Sequence, residues 1–105
     1  MLKDIYKLEE RDLLTGIKGR FVHNENNTIG FITLDAGSVL PEHAHIHEQT
    51  TQVIEGKLEL IIDGQTHILE PGMLITIPSN ILHKATAITD CKVTDIFCPV
   101  REDYK

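Results

Sequence analysis

The stretch Pro41-Glu42-His43-Ala44-His45-Ile46-His47-Glu48-Gln49 is dense in side chains that bind metals. His43 and His45 stand two apart, so in an extended strand both imidazoles point to one face. Neutral imidazole is a common ligand for first-row transition ions. Two rings do not hold an ion well, so further ligands must come from neighbouring strands. Gln49 lies just before an extended run, Thr50 to Glu55, and His83 opens a later strand after a tight turn. His47 reads as a rim residue rather than a further imidazole ligand. His23 and His67 sit in strand patterns without ligand company and read as structural or exposed. Glu42 and Glu48 read as solvated charge, although either has the chemistry to orient an imidazole.

The elements that must position these groups are short. Thr28 to Leu34, Lys57 to Ile62, Gln65 to Leu69, Met73 to Ile77, His83 to Ala87 and Lys92 to Cys98 read as strands. Leu58, Leu60 and Ile62 share one face, and Asp63-Gly64 supplies a tight hairpin turn into the next strand. Pro71-Gly72 and Pro78-Ser79-Asn80 break the chain between later strands. Only the first dozen residues carry a helix-compatible pattern. Many short antiparallel strands and no strong helix predict an all-β sandwich or barrel, and closure would remove the exposed edges.

Composition narrows the function classes. The chain has 105 residues, which suits one domain over residues 1–105, and no linker or repeat divides it. Trp is absent and aromatics are few, so the core must be built from Ile, Leu and Val. The formal net charge is -6 with no basic run, which argues against nucleic acid as a partner. No apolar stretch reaches the ~20 residues needed to cross a bilayer, and the charged start MLKDIYKLEERD lacks the apolar segment of a secretory signal. Cys91 and Cys98 then read as reduced thiols, small packing residues rather than redox groups, and the expected location is cytoplasmic.

Two spaced motifs make the pattern specific. Gly37, five residues, His43, one, His45, three, Gln49, six, Gly56 resembles the first cupin motif, with Gln49 at a position that usually holds Glu. Gly72, five residues, Pro78, one, Asn80, two, His83 resembles the second, with Asn80 in place of a Gly and Ala87 in place of the closing Asn. The resemblance implies a jelly-roll barrel (a double-stranded β-helix) with His43, His45, Gln49 and His83 as ligands to one divalent transition metal. Ni, Zn, Mn and Fe(II) all suit that set. Three neutral imidazoles and a neutral amide leave the charge of a dipositive ion uncompensated. Such an ion is a strong Lewis acid that favours anionic substrates and gives little support to a trivalent state.

The C-terminal run Val93-Thr94-Asp95-Ile96-Phe97-Cys98-Pro99-Val100-Arg101-Glu102-Asp103-Tyr104 carries a sharper likeness. Asp95 and Phe97 share one face of a strand, and pattern alone does not tell whether that face looks inward. Asp-x-Phe, then Pro, then Arg-Glu-Asp-Tyr is similar to the end of the small cupins of pectin and alginate breakdown. Those proteins open 4,5-unsaturated monouronates into linear keto-aldehyde sugar acids. The likeness implies that Asp95, Phe97 and Arg101 line the site beside the metal. Arg101 would take a substrate carboxylate, Asp95 would move protons with Arg101 beside it, and Phe97 would give the sugar an apolar floor. The competing reading of Arg101 is a surface ion pair with Glu102 or Asp103. His83, Ala85 and Ala87 alternate on one face, and the small pair leaves room beside the ion. A small anionic sugar is the expected substrate, and a homodimer is expected by resemblance. Another small cupin metalloenzyme (a dioxygenase or epimerase-like protein) and a non-catalytic sugar-binding or sensor domain are the alternatives.

Overall fold

The computed structural model describes residues 1–105 and is almost entirely β. The strands are β1 (Arg11–Leu14), β2 (Ile17–His23), β3 (Thr28–Leu34), β4 (Val39–His43), β5 (Glu48–Glu55), β6 (Leu58–Ile62), β7 (Gln65–Leu69), β8 (Leu74–Ile77), β9 (His83–Ala87) and β10 (Cys91–Cys98). They form a six-stranded sheet in the order β1-β2-β3-β10-β5-β8 and a four-stranded sheet in the order β4-β9-β6-β7. Every pairing is antiparallel. The two sheets face each other as a jelly roll.

Alternation explains why these residues make these strands. Along β3, Thr28, Gly30, Ile32 and Leu34 turn inward, and along β6 so do Leu58, Leu60 and Ile62. Val53, Ile77 and Ala87 are fully buried where the sheets meet, and one continuous apolar cluster joins them to Ile17, Leu58, Leu60 and Val93. Asp63 and Gly64 both have positive φ, which matches the twist of the β6–β7 hairpin.

The N-terminal segment departs from the helix-compatible reading. Ile5–Lys7 makes a single 3-10 turn, with Asp4 accepting from the Tyr6 N–H, and Arg11 then starts β1. β1 and β2 extend the larger sheet next to β3. Pairing with an existing edge satisfies their backbone groups, a tertiary gain that local helix propensity does not match. The strand that holds Gln49 also begins earlier than expected, at Glu48.

Antiparallel register decides what meets what at one end of the barrel. His43 pairs with His83 across β4 and β9. Gln49 lies opposite Phe97, and Thr51 opposite Asp95, across β5 and β10. Phe97 is also opposite Thr28 of β3. The ends of four separate strands thus deliver every candidate side chain to one rim except His45 and Arg101, which come from the loops that follow. No helix is long and apolar enough to cross a membrane.

Candidate metal centre and active-site cavity

His43 and His83 come from strands, but His45 does not. β4 is irregular between Leu40 and His43 and ends there, so the shared-face expectation for His43 and His45 is corrected. The chain instead bends through residues 44–47, and the His45 carbonyl accepts from the Asn80 N–H at 2.7 Å. Asn80 has φ 62, a left-handed conformation that Asn tolerates, and this is the position where it stands in place of a Gly. The turn before β9 therefore anchors the loop that carries His45.

The three imidazoles converge. Ring centroids are 4.2 Å apart for His43–His83, 4.9 Å for His45–His83 and 5.5 Å for His43–His45. Their ligand atoms all lie within 4.8 Å of one another. Each Nδ1 donates to a backbone carbonyl: His43 to Pro41 at 2.8 Å, His45 to His47 at 2.9 Å and His83 to Ile81 at 2.8 Å. A carbonyl only accepts, so Nδ1 carries the proton and Nε2 is left as a bare lone pair. Such outer hydrogen bonds fix the tautomer that a metal requires. Burial lowers the pKa of His45, with the Arg101 charge adding to it, and burial likewise lowers that of His83. Both rings are thereby kept neutral at pH 7.

Two observations test whether a metal fits. His83 is 1% exposed and its Nε2 has no hydrogen-bond partner. An orphaned buried acceptor costs ~1–3 kcal/mol unless something binds it. The Gln49 amide oxygen lies 3.0 Å from His45 Nε2, and both atoms are acceptors when His45 Nδ1 holds its proton. Two lone pairs face to face are favourable only with a cation between or beside them. The group fits a divalent transition metal, with His43, His45 and His83 giving nitrogen and Gln49 oxygen.

The wall beside the triad is set by β10. Cys91, Val93 and Phe97 point into the barrel with Asp95, whereas Lys92, Ile96 and Cys98 face outward. Asp95 is thus on the inner face, the point the strand pattern left open. It accepts from the Thr51 hydroxyl at 2.6 Å, and Thr51 accepts from the Gln49 amide at 2.9 Å. Burial pushes the Asp95 carboxyl up to about 6, against the opposing pull of its own hydrogen bonds with Thr51 and Gln49 and of the Arg101 charge. His43, Gln49, His83, Asp95, Phe97 and Arg101 all line one cavity.

Arg101 follows the cis Cys98–Pro99 bond and is only 7% exposed. Its guanidinium lies 4.7 Å from the Phe97 ring centre and 4.2 Å from that of Tyr104. Two of its N–H groups bind the Asp103 carboxylate, at 2.9 and 2.7 Å. The ion pair expected as the alternative therefore exists, but within the cavity wall rather than instead of it. Burial opposes the Arg101 charge, and the contacts with Asp103 and Tyr104 outweigh it.

Three residues that shape this wall were not anticipated from the sequence. Thr51 joins Gln49 to Asp95. Thr28, fully buried, accepts from the Arg101 N–H at 2.9 Å and bonds His23 Nδ1 at 2.9 Å. Tyr104 lines the cavity, and its carbonyl accepts from Arg11 and from His23 Nε2. His23 is thus structural, as expected. The His47 ring is 5.4 Å from that of His45, with Nε2 3.3 Å from the Val100 carbonyl, and Glu42 and Glu48 are exposed. A buried threonine in a strand looks like any β-branched residue, so no sequence signal singled out Thr51.

The family model for the cupin domain matches residues 30–97. The pectin degradation protein KdgF of Dickeya dadantii is 31% identical over 70 residues, covering 65% of this chain and 64% of that protein. The structure of KdgF from a Halomonas species superposes with a TM-score of 0.90 at 28% identity, covering 95% of this chain and 94% of the other. An RmlC-like cupin from Shewanella frigidimarina gives a TM-score of 0.93 at 29% identity, with 98% and 94% covered. The matched span contains all four candidate ligands, Asp95 and Phe97, and by it the chain belongs to the cupin domain family.

Proposed function

We propose that this cupin is a metal-dependent isomerase that opens 4,5-unsaturated monouronates to linear keto sugar acids in uronate catabolism. The observation that carries the reading is the placement of a carboxylate, Asp95, and a cation, Arg101, on the wall of the cavity lined by His43 and His83 of the triad. The likeness to pectin-degradation cupins supports it. His43, His45, Gln49 and His83 would hold the ion, which when bound supplies Lewis acidity that lowers the cost of negative charge on substrate oxygen.

The residues of the chain then have distinct tasks. Arg101 takes the substrate carboxylate through the N–H groups that Asp103 does not use. Phe97, 3% exposed, offers its ring as an apolar floor. Asp95 takes the proton of the anomeric hydroxyl as the bond between C1 and the ring oxygen breaks. An aldehyde forms at C1, and the ring oxygen leaves as the enolate oxygen on C5. Protonation at C4 yields the ketone, so one proton is taken, one is returned and nothing is oxidised. A small anionic sugar as substrate, a homodimeric state and a cytoplasmic location belong to the same proposal.

The test is loss of the alkene absorbance of an unsaturated monouronate with metal-loaded protein. Turnover should stop with chelator and fall ~10²–10⁴-fold in Asp95→Asn. No loss with metal-loaded wild type refutes the reaction. Oxygen uptake by iron-loaded protein would point to a dioxygenase instead, and tight sugar binding without turnover to a sensor.

A further inference from the structure

We infer that Thr51 is a positioning residue whose hydroxyl decides which end of the Gln49 amide faces the metal. The inference rests on the metal-centre reading above and extends it to a residue outside the ligand set.

A side-chain amide has two ends of nearly equal shape, one accepting and one donating, and its neighbours alone choose between them. Gln49 is 6% exposed and Thr51 is 2% exposed, so water does not make the choice. The Thr51 hydroxyl has one proton. That proton goes to Asp95 at 2.6 Å, which leaves Thr51 oxygen as an acceptor. The only partner it then takes from Gln49 is the NH2 group, at 2.9 Å. With the NH2 end committed, the amide oxygen must point the other way, to within 3.0 Å of His45 Nε2. Asp95, Thr51 and Gln49 thus form a one-directional chain that ends in a lone pair at the triad.

Backbone register makes the chain possible. Gln49 and Thr51 are two apart on β5 and share its inner face, while Thr51 lies directly across from Asp95 on β10. Without the hydroxyl, only the Asp95 carboxylate, which also bonds the Gln49 side chain, opposes a turn of the amide that brings its NH2 to His45 Nε2. That arrangement satisfies both groups and closes the fourth position to a cation. A carboxylate ligand needs no such guide because its two oxygens are equivalent. Gln at this position creates the requirement that Thr51 meets.

The experiment measures Ni²⁺ affinity by competition with a chromophoric chelator, with thermal melts confirming that each variant is folded. Thr51→Val should weaken Ni²⁺ binding about 10- to 100-fold, the usual cost of losing a group that orients a ligand. Thr51→Ser should stay within about threefold of wild type. In a Gln49→Glu background, Thr51→Val should cost less than about threefold, because no amide remains to be oriented. A merely structural threonine would instead weaken both backgrounds alike. If the valine variant does not fold, Thr51→Ser against Thr51→Ala isolates the hydroxyl at matched loss of the methyl group. Equal Ni²⁺ affinity within that pair, or the same loss in both backgrounds, overturns the inference and leaves the metal centre standing. Wild type that binds no Ni²⁺ overturns both.

Discussion

Arg101→Lys keeps the charge and removes the planar fork, and its cost follows from the contacts of the guanidinium. The guanidinium lies over two rings that meet edge to face, at 4.7 and 4.2 Å from their centres, and forms two bonds to one carboxylate. Each partly desolvated cation–ring contact contributes ~0.5–2 kcal/mol, and an ammonium keeps part of that. The Asp103 side chain is 58% exposed, so the second bond to it adds little, ~0.5 kcal/mol or less. Together the substitution should destabilise the fold by about 1–2 kcal/mol. For a domain of this size that lowers Tm by roughly 5–15 °C. The assay is urea unfolding of wild type, Arg101→Lys and Asp103→Asn, all in chelator so that metal binding does not add to stability. Asp103→Asn removes the ion pair but leaves the two cation–ring contacts, and should cost less than Arg101→Lys. A lysine variant within ~0.3 kcal/mol of wild type, or an asparagine variant that costs more, would refute a stabilising role for the two ring contacts.

Two further outcomes follow from other parts of the molecule. The Arg101 hydrogen bonds hold the Asp103 carboxyl down at about 2, below an ordinary unfolded carboxylate at ~3.9. Its contribution is therefore present above pH ~4 and lost as pH falls toward 2. The stability gap between wild type and Asp103→Asn, under ~1 kcal/mol at pH 6 for so exposed a group, should close over that window; a gap independent of pH would contradict it. Gly56 has φ +88, and a Cβ there would stand 2.0 Å from the Asp90 carbonyl oxygen. Gly56→Ala should cost ~3 kcal/mol or more in urea unfolding, and a loss below ~1 kcal/mol would show that this hairpin shifts freely.

Much of the molecule could be read from residue spacing because strands encode their faces at period two. Leu58, Leu60 and Ile62 announce an inner face, and Asp63-Gly64 announces the turn after it. The motif spacings named His43, His45, Gln49 and His83 as one group, and in the fold the three imidazoles come together with the Gln49 amide oxygen 3.0 Å from His45 Nε2. They did not show that His45 leaves the strand, because an irregularity in β4 and the anchor from Asn80 are tertiary events. β1, and β2 apart from the strand pattern around His23, were hidden for a related reason. Gly19 and the partly exposed Arg20 and Phe21 give little alternation, and their extended shape comes from pairing with β3. The face of Asp95 could be taken only from family likeness, since both faces of β10 are mixed. Thr51 and Thr28 illustrate the deeper limit: their roles depend on which strand lies opposite, and register is not written in either residue.

The most direct measurement is a crystal structure of protein supplied with a transition metal, with the ion located by its anomalous scattering. A single ion is expected, with Nε2 of His43, His45 and His83 and the amide oxygen of Gln49 about 2.0–2.2 Å away. An ion bound elsewhere, or imidazoles that turn away from one another when metal is abundant, would contradict it.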